Sequence, residues 1–77
     1  MKLRQLGSNQ AQVEINDKLT VFFSYDTPVA CFIQGQGYFR SEKRWSNTTA
    51  QHIAKWLDGV KAEGRPQTFF NDLLAEV

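Results

Sequence analysis

The chain has 77 residues and a formal net charge of +1, and 42% of its residues are apolar, with aromatic types making up 13% of the chain. This length suffices for one small domain with a single core, and it excludes a separate substrate domain or a dinucleotide-binding βαβ array. The near-zero charge provides no global field that would hold the protein on nucleic acid or an anionic membrane, so any such binding must be local. We predict a single domain over residues 1–77.

The first half of the sequence has the patterns of β-strands. Apolar and polar residues alternate over residues 11–15 and 19–24, with a turn-forming Asn-Asp-Lys tripeptide between them, which predicts a hairpin. Residues 29–34 are nearly all apolar, so we expect a central strand buried on both faces. After a Gly-Gln-Gly turn, residues 38–43 form the next strand of a meander. Residues 2–6 also alternate and would add a fifth strand.

The second half changes to the period of an amphipathic helix. Ser46, Asn47 and Thr48 are all suitable N-caps, and Thr48 followed by Gln51 fits a capping box. Apolar residues then recur at steps of three and four, which predicts a helix over residues 48–63.

A second helix is predicted over residues 67–76. Gly64 is suited to cap the end of the first helix, and Pro66 suits the first turn of the second. We therefore expect an α+β fold: an antiparallel meander of four to five strands, followed by two helices packed on one face. The second helix has more apolar residues than docking on a small sheet requires, and these could form an interaction surface: Phe69, Phe70, Leu73 and Leu74.

Two motifs carry a family resemblance. Residues 22–30 (FFSYDTPVA) and 45–57 (WSNTTAQHIAKWL) resemble a small domain of phage and bacterial proteins with the motifs FSYxTPVA and WSxTTxxHI. The resemblance covers residues 11–57. It implies an α+β fold and a phage or phage-derived origin. The function of that domain is unknown, so the resemblance implies no activity and assigns no catalytic residue.

Both motifs also have a structural interpretation. Hydroxyl groups can satisfy free backbone amides at a turn or at a helix start. His52 is the one histidine and the one ready base near neutral pH, so a small hydrolase at His52 is a minor alternative to a histidine that locks the helix start to the strand turn. The structural residues predicted in the motifs are Ser24, Tyr25, Ser46, Thr48, Thr49 and His52.

Cysteine usage predicts a cytoplasmic protein without metal or cofactor. Cys31 is the single cysteine, it cannot form an internal disulfide, and its apolar surroundings predict a core residue. Cys/His clusters with zinc spacing are absent from the sequence. We also expect no membrane association, because no apolar run approaches the roughly 18 residues of a membrane span.

Residues 38–45 combine basic and aromatic side chains. Such a segment can hold single-stranded nucleic acid by stacking bases and pairing phosphates. The alternative is a solvated edge strand whose positive charge discourages aggregation. The candidate nucleic-acid residues are Arg40, Lys43, Arg44, Trp45 and Lys55.

These observations give three functional hypotheses. The leading one is a non-enzymatic module that binds a protein partner or itself as a homodimer. The alternative is a nucleic-acid-binding accessory protein, and the hydrolase at His52 is the least favoured.

Overall fold

One six-stranded sheet organises the computed structural model, which describes residues 2–75. Strand order in the sheet follows chain order; neighbouring strands are antiparallel except the last pair, which is parallel. The predicted α+β class and strand meander, including the fifth strand at the start of the chain, are confirmed. The elements are β1 (Lys2–Gly7), β2 (Gln10–Asn16), β3 (Leu19–Ser24), β4 (Thr27–Ile33), β5 (Gly37–Ser41), α1 (Asn47–Leu57), β6 (Ala62–Arg65) and α2 (Gln67–Ala75).

The predicted turns have the expected chemistry. The Lys18 N–H donates to Asn16 Oδ1 at 2.7 Å, which closes the turn between β2 and β3. The turn before β5 uses Gly35 at φ 88° and Gly37 at φ 106°, a backbone region that favours glycine. These short turns keep the strands adjacent and place β3 and β4 at the middle of the sheet.

Both faces of the two central strands are apolar, so the sheet has two cores. Val21 and Phe22 are adjacent in β3, point to opposite faces and are both fully buried. Phe22 and Ala30 pack with Ile53 and Leu57 of α1. On the other face, the cluster of fully or nearly fully buried side chains consists of Val21, Cys31, Phe39 and Phe70 of α2.

The helices therefore lie on opposite faces, and the expectation that both pack on one face is wrong in this detail. The physical reason is the sequence of β4: its continuous apolar run exposes hydrophobic side chains on both sides of the sheet, and one helix cannot cover both.

Helix α1 ends at Leu57, six residues before the predicted end at residue 63. Asp58 adopts a left-handed conformation with φ 47°, and its N–H donates to the Ala54 carbonyl at 3.0 Å. Gly59 continues the turn at φ 81°. Val60, which fits the periodicity of the predicted helix, lies outside it and is 44% exposed.

Strand β6 replaces the predicted end of the first helix. It pairs in parallel with β5, and the predicted capping residue Gly64 lies within it, opposite Arg40. A Cβ on Gly64 would lie 2.8 Å from Glu42 Cγ, so glycine permits the close approach of that side chain. Arg65 pairs with Glu63 at 2.9 Å and lies over the ring of Phe39.

Helix α2 begins at Gln67, as predicted, and is described to Ala75; the predicted last residue, 76, lies outside the described residues. Its first side chain ties it to two strands. Gln67 Nε2 donates to the Pro28 carbonyl at 2.8 Å, and Gln67 Oε1 accepts from Ser41 Oγ at 2.7 Å. Periodicity does not single out Gln67, because its role depends on strands distant in sequence.

Ser46 is the N-cap of α1, rather than Thr48, which is exposed in the first turn. The Ser46 hydroxyl accepts the Thr49 N–H at 3.4 Å.

We expect Ser46→Ala to reduce the free energy of unfolding by about 1 kcal/mol, because an N–H of the first turn loses its acceptor. Urea denaturation measures this change. Thr48→Ala is the matched control and should leave the midpoint unchanged; a larger loss for Thr48→Ala would contradict the assignment of the cap.

Candidate functional site

The end of β3 and the first turns of α1 are joined by a partly buried hydroxyl-imidazole cluster. The Ser24 hydroxyl lies 2.9 Å from His52 Nδ1 and donates to Thr49 Oγ1 at 3.3 Å. Ser24 is 2% exposed and Thr49 is 6% exposed. The exposed Tyr25 ring lies beside the imidazole, with 6.1 Å between ring centroids. The structure thus brings together four of the six motif residues predicted to be structural.

This cluster has the residue types of a nucleophile and a base, and which of Ser24 and His52 donates at 2.9 Å depends on the histidine tautomer. The Ser24 hydroxyl has one proton; when it is donated to Thr49, His52 must donate its Nδ1–H to Ser24 and cannot act as the base toward it. Ser24 is also closed to a substrate in this conformation, because only 2% of its surface is exposed. In this geometry the hydrogen bonds of the cluster hold β3 to α1.

Cys31 lies in the second core, with Val21, Phe39 and Phe70. Burial raises the pKa of its thiol from 9.0 to about 12, because the thiolate would lose its hydration. The thiol is therefore neutral at physiological pH and is closed to solvent. Within residues 2–75, no group of three His, Cys, Asp or Glu side chains is placed to hold a metal ion.

A groove of about 380 Å³, which we call the cationic groove, lies between α1 and the chain around β5. It contains three of the five candidate nucleic-acid residues: Arg40, Lys43 and Trp45. Of the other two, Arg44 is exposed and lines neither this groove nor the next one, and Lys55 lies at the next groove. The remaining lining residues of the cationic groove are Ser41, Ala50, Ile53, Ala54 and Leu57.

Trp45 is the unusual residue of the cationic groove. The Lys43 ammonium lies over its ring, 5.0 Å from the centroid. Its Nε1 is buried and has no hydrogen-bond acceptor among the described residues. A buried N–H without an acceptor costs about 1–3 kcal/mol.

A second groove of about 530 Å³, the aromatic groove, was not predicted from the sequence. The register that brings six elements (β1 to β5 and α1) together around its aromatic residues is not visible in local patterns. It shares no lining residue with the cationic groove. Its lining residues are Leu6, Gln10, Gln12, Thr20, Phe32, Tyr38, Lys55, Trp56 and Asp58.

The predicted interaction surface on α2 is largely used within the chain. Phe70 is fully buried, and the half-buried Phe69 and Leu73 pack against the same core. Leu74 is also half-buried. This leaves α2 with little apolar surface for a partner. Neither helix in residues 2–75 has the length and apolar character that crossing a membrane requires.

We expect Ser24→Ala to reduce the free energy of unfolding by about 1–3 kcal/mol, because His52 Nδ1 and the Thr49 hydroxyl both lose their shared buried partner. Thermal or urea denaturation measures the loss. Ser8→Ala, in the exposed turn between β1 and β2, is the matched control. Equal stability of the two variants would show that the cluster does not hold β3 to α1.

Cys31 predicts a decline of stability at alkaline pH. The unfolded chain loses the thiol proton near pH 9, whereas the folded chain keeps it to about pH 12. Between these values the unfolded state binds fewer protons, so stability falls as pH rises, by about 1 kcal/mol per pH unit from this group. Denaturation of the native chain and of Cys31→Ala at pH 8 and pH 10.5 should show a steeper fall for the native chain. Parallel falls would contradict this assignment.

Comparison with known proteins places the chain in a family. The family described as "Family of unknown function (DUF8033)" matches residues 1–72. No curated protein and no solved structure matches the chain. Since the family match spans nearly the whole sequence, the chain belongs to DUF8033, a family of unknown function.

Proposed function

We propose that this chain is a non-enzymatic protein-interaction module of phage or phage-derived origin that acts in the cytoplasm. Its cationic groove binds a segment of a partner protein that contains both acidic and apolar residues. The observation that carries the proposal is the convergence of three features at one groove: aliphatic side chains, two cations, and a lining tryptophan whose buried indole N–H has no acceptor among the described residues. Each feature specifies part of the ligand.

The aliphatic side chains specify an apolar element in the partner. Ile53 and Leu57 form the deeper part of the groove, and Ala50 and Ala54 are exposed beside them on the same face of α1. Covering such surface stabilises a complex by about 25 cal/mol per Å² of apolar area removed from water. A leucine, isoleucine or phenylalanine side chain of a partner suits this part of the groove.

The charges specify an acidic element. Arg40 and Lys43 are exposed at the groove, and none of the eight lining residues is acidic. A carboxylate at this position would gain hydrogen bonds from the Arg40 guanidinium and attraction from Lys43. Complementary charge also speeds association and discriminates against basic partners.

The Trp45 N–H specifies an acceptor oxygen close to the apolar element. Peptide carbonyls and carboxylates are both such acceptors, and both occur in an acidic peptide segment. Nε1 has almost no exposed surface, so an oxygen reaches it only when the Trp45 ring or a neighbouring side chain shifts on binding, and that hydrogen bond then removes the cost of the unpaired donor.

The same features disfavour a nucleic acid strand in this groove. Base recognition without sequence preference uses free aromatic faces, whereas the floor here is aliphatic and Lys43 covers the Trp45 ring. Lys55, a further cation of the nucleic-acid hypothesis, lines the other groove. A second copy of this chain is also less favoured as the partner, because Phe70 of the apolar helix is buried in its own core.

Selection from random 12-residue peptides displayed on yeast tests the proposal. We expect enriched peptides to combine Asp or Glu with large apolar residues and to bind at least tenfold more weakly when Arg40 and Lys43 are both replaced by alanine. Replacing Lys2 and Lys18, two exposed lysines away from the groove, is the matched control and should leave affinity unchanged.

Trp45→Phe separates binding from folding. A smaller aromatic ring remains and the N–H is lost, so we expect peptide affinity to fall about tenfold, whereas the free energy of unfolding changes little, because the packing lost with the indole is offset by removal of an unpaired buried donor. The proposal is contradicted by selection of basic peptides or by affinity that is insensitive to Arg40 and Lys43. Tighter, salt-dependent binding of a labelled oligothymidylate would favour the nucleic-acid alternative instead.

A further inference from the structure

The aromatic groove has a rigid centre. The Trp56 indole stacks on the fully buried Phe22, with centroids 5.1 Å apart and ring planes 13° from parallel. Its Nε1 donates to Gln12 Oε1 at 3.0 Å. Packing on one side and a hydrogen bond at the edge fix the orientation of the half-buried indole, so little side-chain entropy remains to be lost when a ligand contacts it.

Two more aromatic rings form walls around this centre. Tyr38 meets Trp56 at 70°, and Phe32 meets Tyr38 at 45°, with centroids 5.9 Å and 4.7 Å apart. These ring planes are far from parallel, so they do not form a slot for a flat base. They suit a puckered ring, whose C–H groups point in several directions toward the electron-rich faces of aromatic rings.

Polar groups surround the rings. The Gln12 amide uses its oxygen to accept from the indole, because an indole N–H can only donate, and this leaves its NH₂ group to donate elsewhere. Gln10, Thr20, Lys55 and Asp58 supply further donors and acceptors at the same groove. The one cation and the one anion among the lining residues offset each other, so the groove has no net charge.

We propose that the aromatic groove binds a neutral saccharide of one to three pyranose rings. A pyranose has C–H faces that pack on Trp56 and Tyr38, and hydroxyl groups that both donate and accept, which matches the mixed polar rim. The volume of about 530 Å³ is that of a small-ligand site. This site is independent of the peptide-binding proposal, since no residue lines both grooves.

The chemistry disfavours other ligand classes. A purely apolar ligand would cover the amides of Gln10 and Gln12 and the charges of Lys55 and Asp58 without replacing their hydrogen bonds to water. A phosphate or a nucleic acid backbone requires a net positive site, and Asp58 offsets the single lysine.

The two tryptophans provide a direct readout, because each has an indole N–H signal in a ¹⁵N–¹H spectrum and each lines a different groove. We would titrate the full chain with maltotriose, cellotriose and triacetylchitotriose, and assign the two signals with Trp45→Phe. The expected result is a saturable shift of the Trp56 signal with at least one of these sugars, and no shift of the Trp45 signal.

Variants on the rim test the site without disturbing its aromatic centre. Gln10→Ala and Asp58→Asn should each weaken sugar binding at least fivefold, whereas Gln36→Ala, an exposed glutamine in the turn before β5, should not change it. The proposal is overturned if none of the three sugars shifts the Trp56 signal, if both indole signals shift together, or if adenosine binds more tightly than every sugar. None of these outcomes bears on peptide binding in the cationic groove.

Discussion

The rest of the structure depends on one constraint in β3: two neighbouring side chains point to opposite faces of the sheet, and both must be buried. Val21 and Phe22 are consecutive and both fully buried, so each face of the central strands must be covered by another element. Helix α1 covers the Phe22 face and α2 covers the Val21 face. In a chain of this length, a layer on each side of one sheet uses most of the apolar residues of both helices, including Phe70 of α2.

The limited size of α1 explains why surface grooves remain on its face. Six strands about 4.8 Å apart span roughly 24 Å, whereas a helix is about 10 Å across and eleven residues reach about 16 Å along its axis. The aromatic groove extends over β1 to β5, and the cationic groove lies beside β5 and the segment that follows it. Both candidate sites therefore result from how the sheet is covered, and both use residues of α1 at the margin of the core: Ile53 and Leu57 in the cationic groove, and Trp56 in the aromatic groove.

Local patterns predicted the elements except β6, but not how the elements pack together. Alternation located β1, β2 and β3, because a strand with one buried face leaves a period of two. The continuous apolar run located β4 and correctly predicted that it is central. Asp58 and Gly59 have positive φ angles and end α1. The apolar Val60 after them fits the helical period, so the sequence predicted a longer helix. Strand β6 has no alternation, since a short edge strand is held by pairing with β5 rather than by burial. The environment of the Trp45 N–H and the aromatic groove depend on how elements distant in sequence pack together, which local sequence patterns do not reveal.

The most direct test of this account is a nuclear Overhauser measurement between aromatic and core side chains in labelled protein. The structure predicts contacts from the Phe70 ring to the cluster of Val21, Cys31 and Phe39, and contacts from the Trp56 ring to Phe22. It also predicts no contact between the Phe70 ring and Phe22, because the sheet separates them. Contacts from both rings to Phe22 would place the two helices on one face and contradict the account.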